Sequence, residues 1–369
     1  MTEESRPGPA DFHAIGLYDP DAPDAATRLA LLEYLVDIGA TLDDLASEKP
    51  DELPVLASTI ALWPTRERLT LHEVAERAEL DPELVARVWR AAGFPEPPAD
   101  ARVFAALDVE MLGSVGTAFA FFGEEAMVSF VRVLGAAALR VADAAVSTFV
   151  VNVGQESMQV DPSGLELARA NATSTAMLPA LVQGFDALLR HRLELERRSV
   201  EVDVGRGVEV QHRSVGFVDL VDSTALAHRL DARALATALT EFDAVASEIV
   251  VASGARVVKL IGDEIMFVAA EADRAVNAAL ALIDAFAAHS LLPPVRGAVA
   301  TGNVLARDGD YSGVVVNLAS RAAKQARPGT VLADGATKDL LAVATRDAGE
   351  FVLKGFDEPI RLYRVTPDE

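Results

Sequence analysis

Residues 257–267 read VVKLIGDEIMF, and this stretch constrains the chain more than any other. Apolar residues alternate, break at Ile261-Gly262-Asp263-Glu264, and resume with Ile265-Met266-Phe267. The spacing predicts two short strands joined by a tight turn. A buried hairpin has no structural need for Lys259 near its centre or for an acidic pair at its tip, because Lys and Asp are rarely buried unless paired. Taken alone, the stretch reads as a surface hairpin. A carboxylate motif upstream and an Asn/Arg pair downstream argue for a site instead.

The chain has 369 residues, enough for two domains, and half of it is hydrophobic, so large cores are available. With no cysteine there can be no disulfide, thiolate metal site or Cys nucleophile. That composition suits a reducing compartment, and a cytoplasmic location is expected. The formal charge is -23, a surface that repels nucleic acid and anionic lipid. The acidic, Pro-containing start MTEESRPGPADF is unlike a signal peptide. The most apolar stretch, 130–153, is interrupted by Arg132, Arg140 and Asp143, so no membrane span is expected.

Residues 1–22 read as a flexible lead-in. Leu29, Leu32, Tyr34, Leu35 and Ile38 recur at helical spacing, with a stop at Gly39, and a second helix is expected over 52–63. In 69–94, Thr70 caps one short helix and Asp81-Pro82-Glu83 opens another. The pair matches a helix-turn-helix. DNA binding is the functional alternative. Packing is the better account, because Arg87 and Arg90 share the second helix with Asp81, Glu83 and Trp89, and no basic arm flanks it. Residues 103–153 predict a helix pair buried on most sides, as internal core or subunit interface. Phe119, Phe121 and Phe122 suggest, as a lesser use, a pocket for an acyl chain. A helical stretch over 164–198 ends in LLRHRLELERRSVE, the connector between the halves. His191 and His212 read as ordinary surface histidines, each able to titrate near neutral pH.

After Gly205 strands alternate with helices: strand 209–220, helix 223–253, the hairpin, helix 273–288, strand 295–304 and helix 316–325. This is an α/β sheet with helices packed on it. FVDLVDST, residues 217–224, ends a strand and begins a helix. Asp219 can hold a cation there, while the amides opening the helix at Ser223 and Thr224 face phosphate oxygens. Asp222 or Ser223 can cap the helix. Asp263 then completes a two-carboxylate site for two divalent cations and a triphosphate, the arrangement for in-line phosphoryl chemistry. Asn317 and Arg321, four apart, share one helix face and suit sugar orientation and charge neutralisation.

FVDLVDST, VVKLIGDEIMF, VRGAVATG, DYSGVVVNLASRAA and LKGFDEPIRLYRV follow one another in an order and spacing that resembles the class III nucleotidyl cyclase catalytic domain, over about 209–366. The resemblance implies a ferredoxin-like α/β domain that works as a head-to-tail homodimer with composite sites. It implies that Asp219 and Asp263 hold two divalent cations, Mg or Mn, on one protomer. Lys259 and Asp310 look like the adenine-selecting pair of the other, Asn317 like the ribose-orienting residue and Arg321 like the transition-state arginine. Arg296 and Lys354 match triphosphate-binding positions. Guanylyl cyclases place Glu and Cys where this chain has Lys259 and Asp310, so the implied substrate is ATP and the product cyclic AMP. Family members commonly have Gly where this chain has Asp222.

The N-terminal half is similar to the helical regulatory domain that precedes some actinobacterial cyclases, which implies autoinhibition and a pH response. The expected organisation is α+β: a flexible 1–22, an all-helical regulatory domain over 23–183, a connecting helix over 184–206, and the cyclase domain over 207–369. A catalytically silent nucleotide-binding sensor is the alternative.

Overall fold

The computed structural model describes residues 6–63, 65, 67–154, 161, 163–201, 210–287, 289 and 291–366. The chain divides into two compact units, Met1–Leu193 and Glu194–Glu369. The boundary falls inside a helix, within the span expected to connect the halves.

The first unit is helical: α1 (Pro9–Ala14), α2 (Ala25–Asp37), α3 (Leu42–Ser47), α4 (Leu53–Leu62), α5 (Leu71–Arg77), α6 (Pro82–Ala91), α7 (Ala106–Phe122), α8 (Glu124–Phe149), α9 (Leu165–Thr175) and the start of α10 (Leu178–Glu201). Phe12 is fully buried in one core with Leu31, Leu32, Leu35 and Leu53. Residues 9–14 therefore form an anchored helix, and the expected flexible lead-in does not extend over them. Thr70 accepts from the Glu73 amide while Glu73 reaches back to the Thr70 amide, a reciprocal cap that fixes the start of α5. Asp81 caps α6, with Pro82 at its first position.

On α6, Arg87 is paired with Glu124 and Glu125, and Arg90 with Glu96. Trp89 stacks on Phe94 at 4.4 Å. The basic side chains proposed for DNA are thus committed to internal ion pairs.

Two expectations for this unit are corrected. The 164–198 helix is broken, because Pro179 lacks an N–H and crowds the carbonyl four residues back, separating α9 from α10 at Ala176-Met177. The α7–α8 pair is not buried on most sides: Leu112, Val128 and Val131 are buried, whereas Phe121 is 82% and Phe122 63% exposed. Residues Glu124–Val153 also have the length and mean hydropathy, 1.6, of a helix able to cross a membrane, by length and composition alone.

The second unit holds the end of α10, then β1 (Val210–Leu220), α11 (Ser223–Arg229), α12 (Ala232–Ala252), β2 (Arg256–Ile261), β3 (Glu264–Ala269), α13 (Ala272–Ala287), β4 (Val295–Arg307), β5 (Asp310–Ser312), α14 (Val314–Ala323), β6 (Val331–Ala333), α15 (Gly335–Lys338), β7 (Thr345–Phe351) and β8 (Ile360–Val365). The helix expected over 223–253 is two helices. Leu230 turns extended, and the Asp231 side chain accepts from the Ala234 amide at 2.8 Å to restart the helix.

The sheet runs β2-β3-β1-β4-β6-β8-β7, with β5 paired to β4. β1 is central and antiparallel to both β3 and β4. Its side chains alternate between two cores. Val218 and Leu220 join Phe242, Val250, Leu282 and Phe286 of α12 and α13 on one face. Val215 and Phe217 join Leu318, Ala319 and Ala322 of α14 on the other. At Gly216 the Phe267 ring lies where a side chain would begin, 2.2 Å from an added Cβ, so only glycine fits.

Asp243, on α12, has one carboxylate oxygen buried with no hydrogen-bond partner, and burial pushes its pKa up from the ordinary 3.8. The folded state therefore holds this proton more tightly than the unfolded chain. The associated stability is full below the unfolded value and is lost as pH rises through the folded one. Asp243→Asn is expected to raise the melting temperature at pH 7.5, with the gain shrinking as pH falls through the folded pKa. A gain that is the same at pH 4.5 and 7.5 would contradict this origin.

Candidate active site

The site is built on the C-terminal end of β1. Alternation directs Asp219 to the same face as Phe217, toward α14, and leaves it only 8% exposed. A buried carboxylate needs a compensating cation or donor. The sheet register supplies its neighbours: Asp219 lies opposite Glu264 on β3 and opposite Arg296 on β4. Arg296 donates to Asp219 Oδ2 through Nη2 at 3.0 Å and Nε at 3.3 Å, and its Nη1 donates to the Lys324 carbonyl at 3.2 Å. Asp263 forms the tip between β2 and β3, where its carbonyl accepts from the Leu220 amide at 3.1 Å. That bond ties the hairpin tip to the end of β1 and brings the Asp263 carboxyl beside Asp219.

Burial pushes the Asp219 pKa up, Arg296 opposes the rise, and the neighbouring Asp263 adds to it. Glu264 is raised in the same sense, first by burial, against the pull of Lys324, and one of its oxygens is buried without a hydrogen bond. Glu264 and Lys324 belong to this electrostatic cluster; the sequence marked Glu264 as half of the acidic pair but gave it no role, and it did not mark Lys324. The signal was present: with Ile265 and Phe267 facing the α12–α13 core, Glu264 must share the Asp219 face.

Among the described residues no group of three or more His, Cys, Asp or Glu could hold a metal ion by itself. Asp219 and Asp263 offer hard oxygen donors, but too few for a cage made of protein alone. This donor set fits a small hard cation that brings most of its shell as water and phosphate oxygens.

A second cluster forms around Lys259. A bulge in β2 between Val257 and Lys259 sets Lys259 opposite Met266, whereas unbroken pairing from Val257–Phe267 would set it opposite Ile265. Met266 faces α14, so the bulge turns Lys259 to that face. There Lys259 Nζ meets Asp310 Oδ2 at 2.5 Å. Asp310 follows a two-residue turn, Asp308-Gly309, in which both residues have positive φ, as a tight hairpin requires. Its other oxygen accepts from the Tyr311 amide at 2.8 Å. The structure thus brings together the predicted pair Lys259 and Asp310, and separately Asp219, Asp263 and Arg296.

Asn317 and Arg321 share a face of α14. Asn317 is exposed, while Arg321 is half-buried with its Nε enclosed and without a partner. No hydrogen bond or ion pair among the described residues joins either to the two clusters. Lys354 is exposed in the connection between β7 and β8 and is likewise not brought to the site. Ser223 opens α11, which is only 7 residues long, and the Thr224 side chain lies outside the described set. Asp222 makes no side-chain cap, contrary to the cap expected there. It sits instead in the left-handed region at φ 55, ψ 33, which explains physically why glycine suits this position. His191 and His212 are both exposed.

Residues 13–198 match the adenylate cyclase regulatory domain, and residues 208–366 match the adenylate and guanylate cyclase catalytic domain. An uncharacterized protein of Mycobacterium tuberculosis is 34% identical over 342 residues, covering 92% of this chain and 90% of its own. An adenylate cyclase of Glutamicibacter nicotianae is 32% identical over 302 residues, covering 76% of this chain and 72% of its own. A pH-sensitive adenylate cyclase of M. tuberculosis is 27% identical over 357 residues, covering 92% and 88%. With a matched regulatory domain, a matched catalytic domain and relatives similar along both, the chain belongs to the adenylate and guanylate cyclase family.

Proposed function

We propose that the chain is an adenylyl cyclase that converts ATP to 3′,5′-cyclic AMP and pyrophosphate. The observation that carries this reading is the contact between Lys259 and Asp310 at 2.5 Å. Lys259 donates to adenine N1 and Asp310 accepts from the 6-amino group, and guanine presents the opposite pattern at both atoms. A wrong base leaves these polar groups unpaired, at a cost of about 1–3 kcal/mol each.

In the reaction the ribose 3′-oxygen attacks the α-phosphorus. The new O3′–P bond forms as the bond to the bridging oxygen of the β-phosphate breaks, and the hydroxyl proton passes to solvent. Asp219 and Asp263 would hold two divalent cations, Mg or Mn, which when bound lower the pKa of the 3′-hydroxyl and neutralise the polyphosphate. Arg296 compensates Asp219 here and would be free to turn to the triphosphate if that carboxylate held a cation. Lys354, exposed on the β7–β8 connection and away from the site in one chain, would have to swing in to reach the same phosphates, and the first turn of α11, at Ser223 and Thr224, would border them. Asn317 orients the ribose, and Arg321 stabilises charge on the five-coordinate phosphorus. Among the described residues no side chain stands out as an obligatory general base.

Among the described residues no side-chain hydrogen bond or ion pair joins the two clusters, although both draw on the β2–β3 hairpin. In this reading they meet across a head-to-tail homodimer, Asp219 and Asp263 from one copy facing Lys259, Asp310, Asn317 and Arg321 of the other. The strand order and antiparallel pairing of β2-β3-β1-β4 support a ferredoxin-like core for each copy. The helical unit regulates this assembly through α10, restraining activity and imparting the pH response.

With Mn or Mg, the full chain is expected to form cyclic AMP from ATP, and Asp263→Ala to lose at least about 100-fold of the rate. ATP binding without product under any condition would instead mark a silent nucleotide sensor. A second variant tests the strained turn. Asp222→Gly removes a left-handed L-residue costing roughly 1 kcal/mol, together with a negative charge beside the polyphosphate. Its melting temperature should rise and its KM for ATP fall. A higher KM would show that Asp222 aids binding.

A further inference from the structure

Arg256 joins three elements of the second unit. Its Nη1 donates to Glu196 Oε1 on α10 at 2.7 Å, and its Nη2 donates to the Tyr311 hydroxyl at 2.6 Å. The guanidinium also lies over the Tyr311 ring, 5.2 Å from its centre. Tyr311 is 7% exposed and packed among Val215, Met266 and Leu318, so its ring is fixed by the core. Its own amide holds one oxygen of Asp310, whose other oxygen meets Lys259. Lys259 lies three residues beyond Arg256, on the same strand and past the bulge. A single side chain thus spans from the end of the connecting helix to the residue that anchors the base-reading carboxylate.

We propose that Arg256 is a positioning residue that ties α10 to the Lys259–Asp310 pair through Tyr311, so that the placement of the helix sets how well the pair reads the base. The inference rests on the reading of Lys259 and Asp310 as the base-selecting pair. Arg256 has this leverage because its fork geometry serves both partners at once, which a lysine cannot do. When α10 shifts, Glu196 pulls on the guanidinium. The Tyr311 hydroxyl loses its donor, and Asp310 is held less firmly against Lys259. Glu196 acts only through Arg256, so its loss gives part of the effect of losing Arg256, and loss of both gives no more than loss of Arg256.

The test uses the full chain with Mg and two nucleotides that cannot cyclise, 3′-deoxy-ATP and 3′-deoxy-GTP, with affinities read by calorimetry. Asp310→Ala is the control and should erase most of the preference for adenine. Arg256→Gln is expected to cut that preference about tenfold, the worth of one lost hydrogen bond to a charged group. Tyr311→Phe keeps the ring in the core and should reproduce the effect. Glu196→Gln should give a smaller loss that disappears in the Arg256→Gln background. If Asp310→Ala leaves the preference intact, the base-selecting reading itself is wrong. If Asp310→Ala erases it while Arg256→Gln and Tyr311→Phe only lower the melting temperature, or if the Glu196 and Arg256 effects multiply, the relay is overturned.

Discussion

A carboxylate at the buried end of the central strand is the constraint on which the catalytic unit depends. Asp219 faces the α14 side of the sheet at 8% exposure, in a place where charge without compensation is costly. Antiparallel pairing on both flanks of β1 decides what compensates it. β4 brings Arg296 and β3 brings Glu264, so three charged residues lie side by side at one level of the sheet. The hairpin tip then adds Asp263 through its bond to the Leu220 amide. Burial pushes the Asp219 and Glu264 pKa values up, so this end of the sheet gathers carboxylates whose charge is costly without a partner.

The second cluster depends on backbone irregularity rather than regular pairing. One bulge re-aims Lys259, and one turn with two left-handed residues places Asp310 to meet it. Tyr311 then couples this pair to the core and to Arg256. Regular strand geometry thus positions the Asp219 cluster, while a bulge and a tight turn position the Lys259–Asp310 pair. In the proposed mechanism each copy contributes one cluster to each site. Catalysis in that mechanism depends on the relative placement of two catalytic domains.

Much of this was legible in the sequence because periodicity and turn chemistry agreed. The hairpin around Gly262-Asp263, the strand ending at Leu220 and the helix carrying Asn317 and Arg321 all emerged within a few residues of their observed ends. What was not legible has physical causes. Simple alternation puts Lys259 on the wrong face, and only the bulge corrects it. The break at Leu230-Asp231 was hidden because the apolar pattern continues through it, while the Asp231 cap restarts the helix locally. The α7–α8 pair reads as core by composition, yet in one chain Phe121 and Phe122 meet edge-on with each other and stay largely exposed. The Glu196–Arg256–Tyr311 chain joins residues remote in sequence, which no local pattern reveals.

The most direct test of the composite site mixes two inactive chains. Asp263→Ala removes the proposed cation ligand, and Arg321→Ala removes the proposed transition-state arginine. In a head-to-tail dimer of one with the other, one of the two sites recovers every residue. Each variant alone should be silent, and an equal mixture should recover about one quarter of the wild-type rate, since random pairing gives half mixed dimers with one intact site each. A mixture as silent as its parts, from chains shown to exchange partners, would contradict the account and place the whole reaction within a single chain.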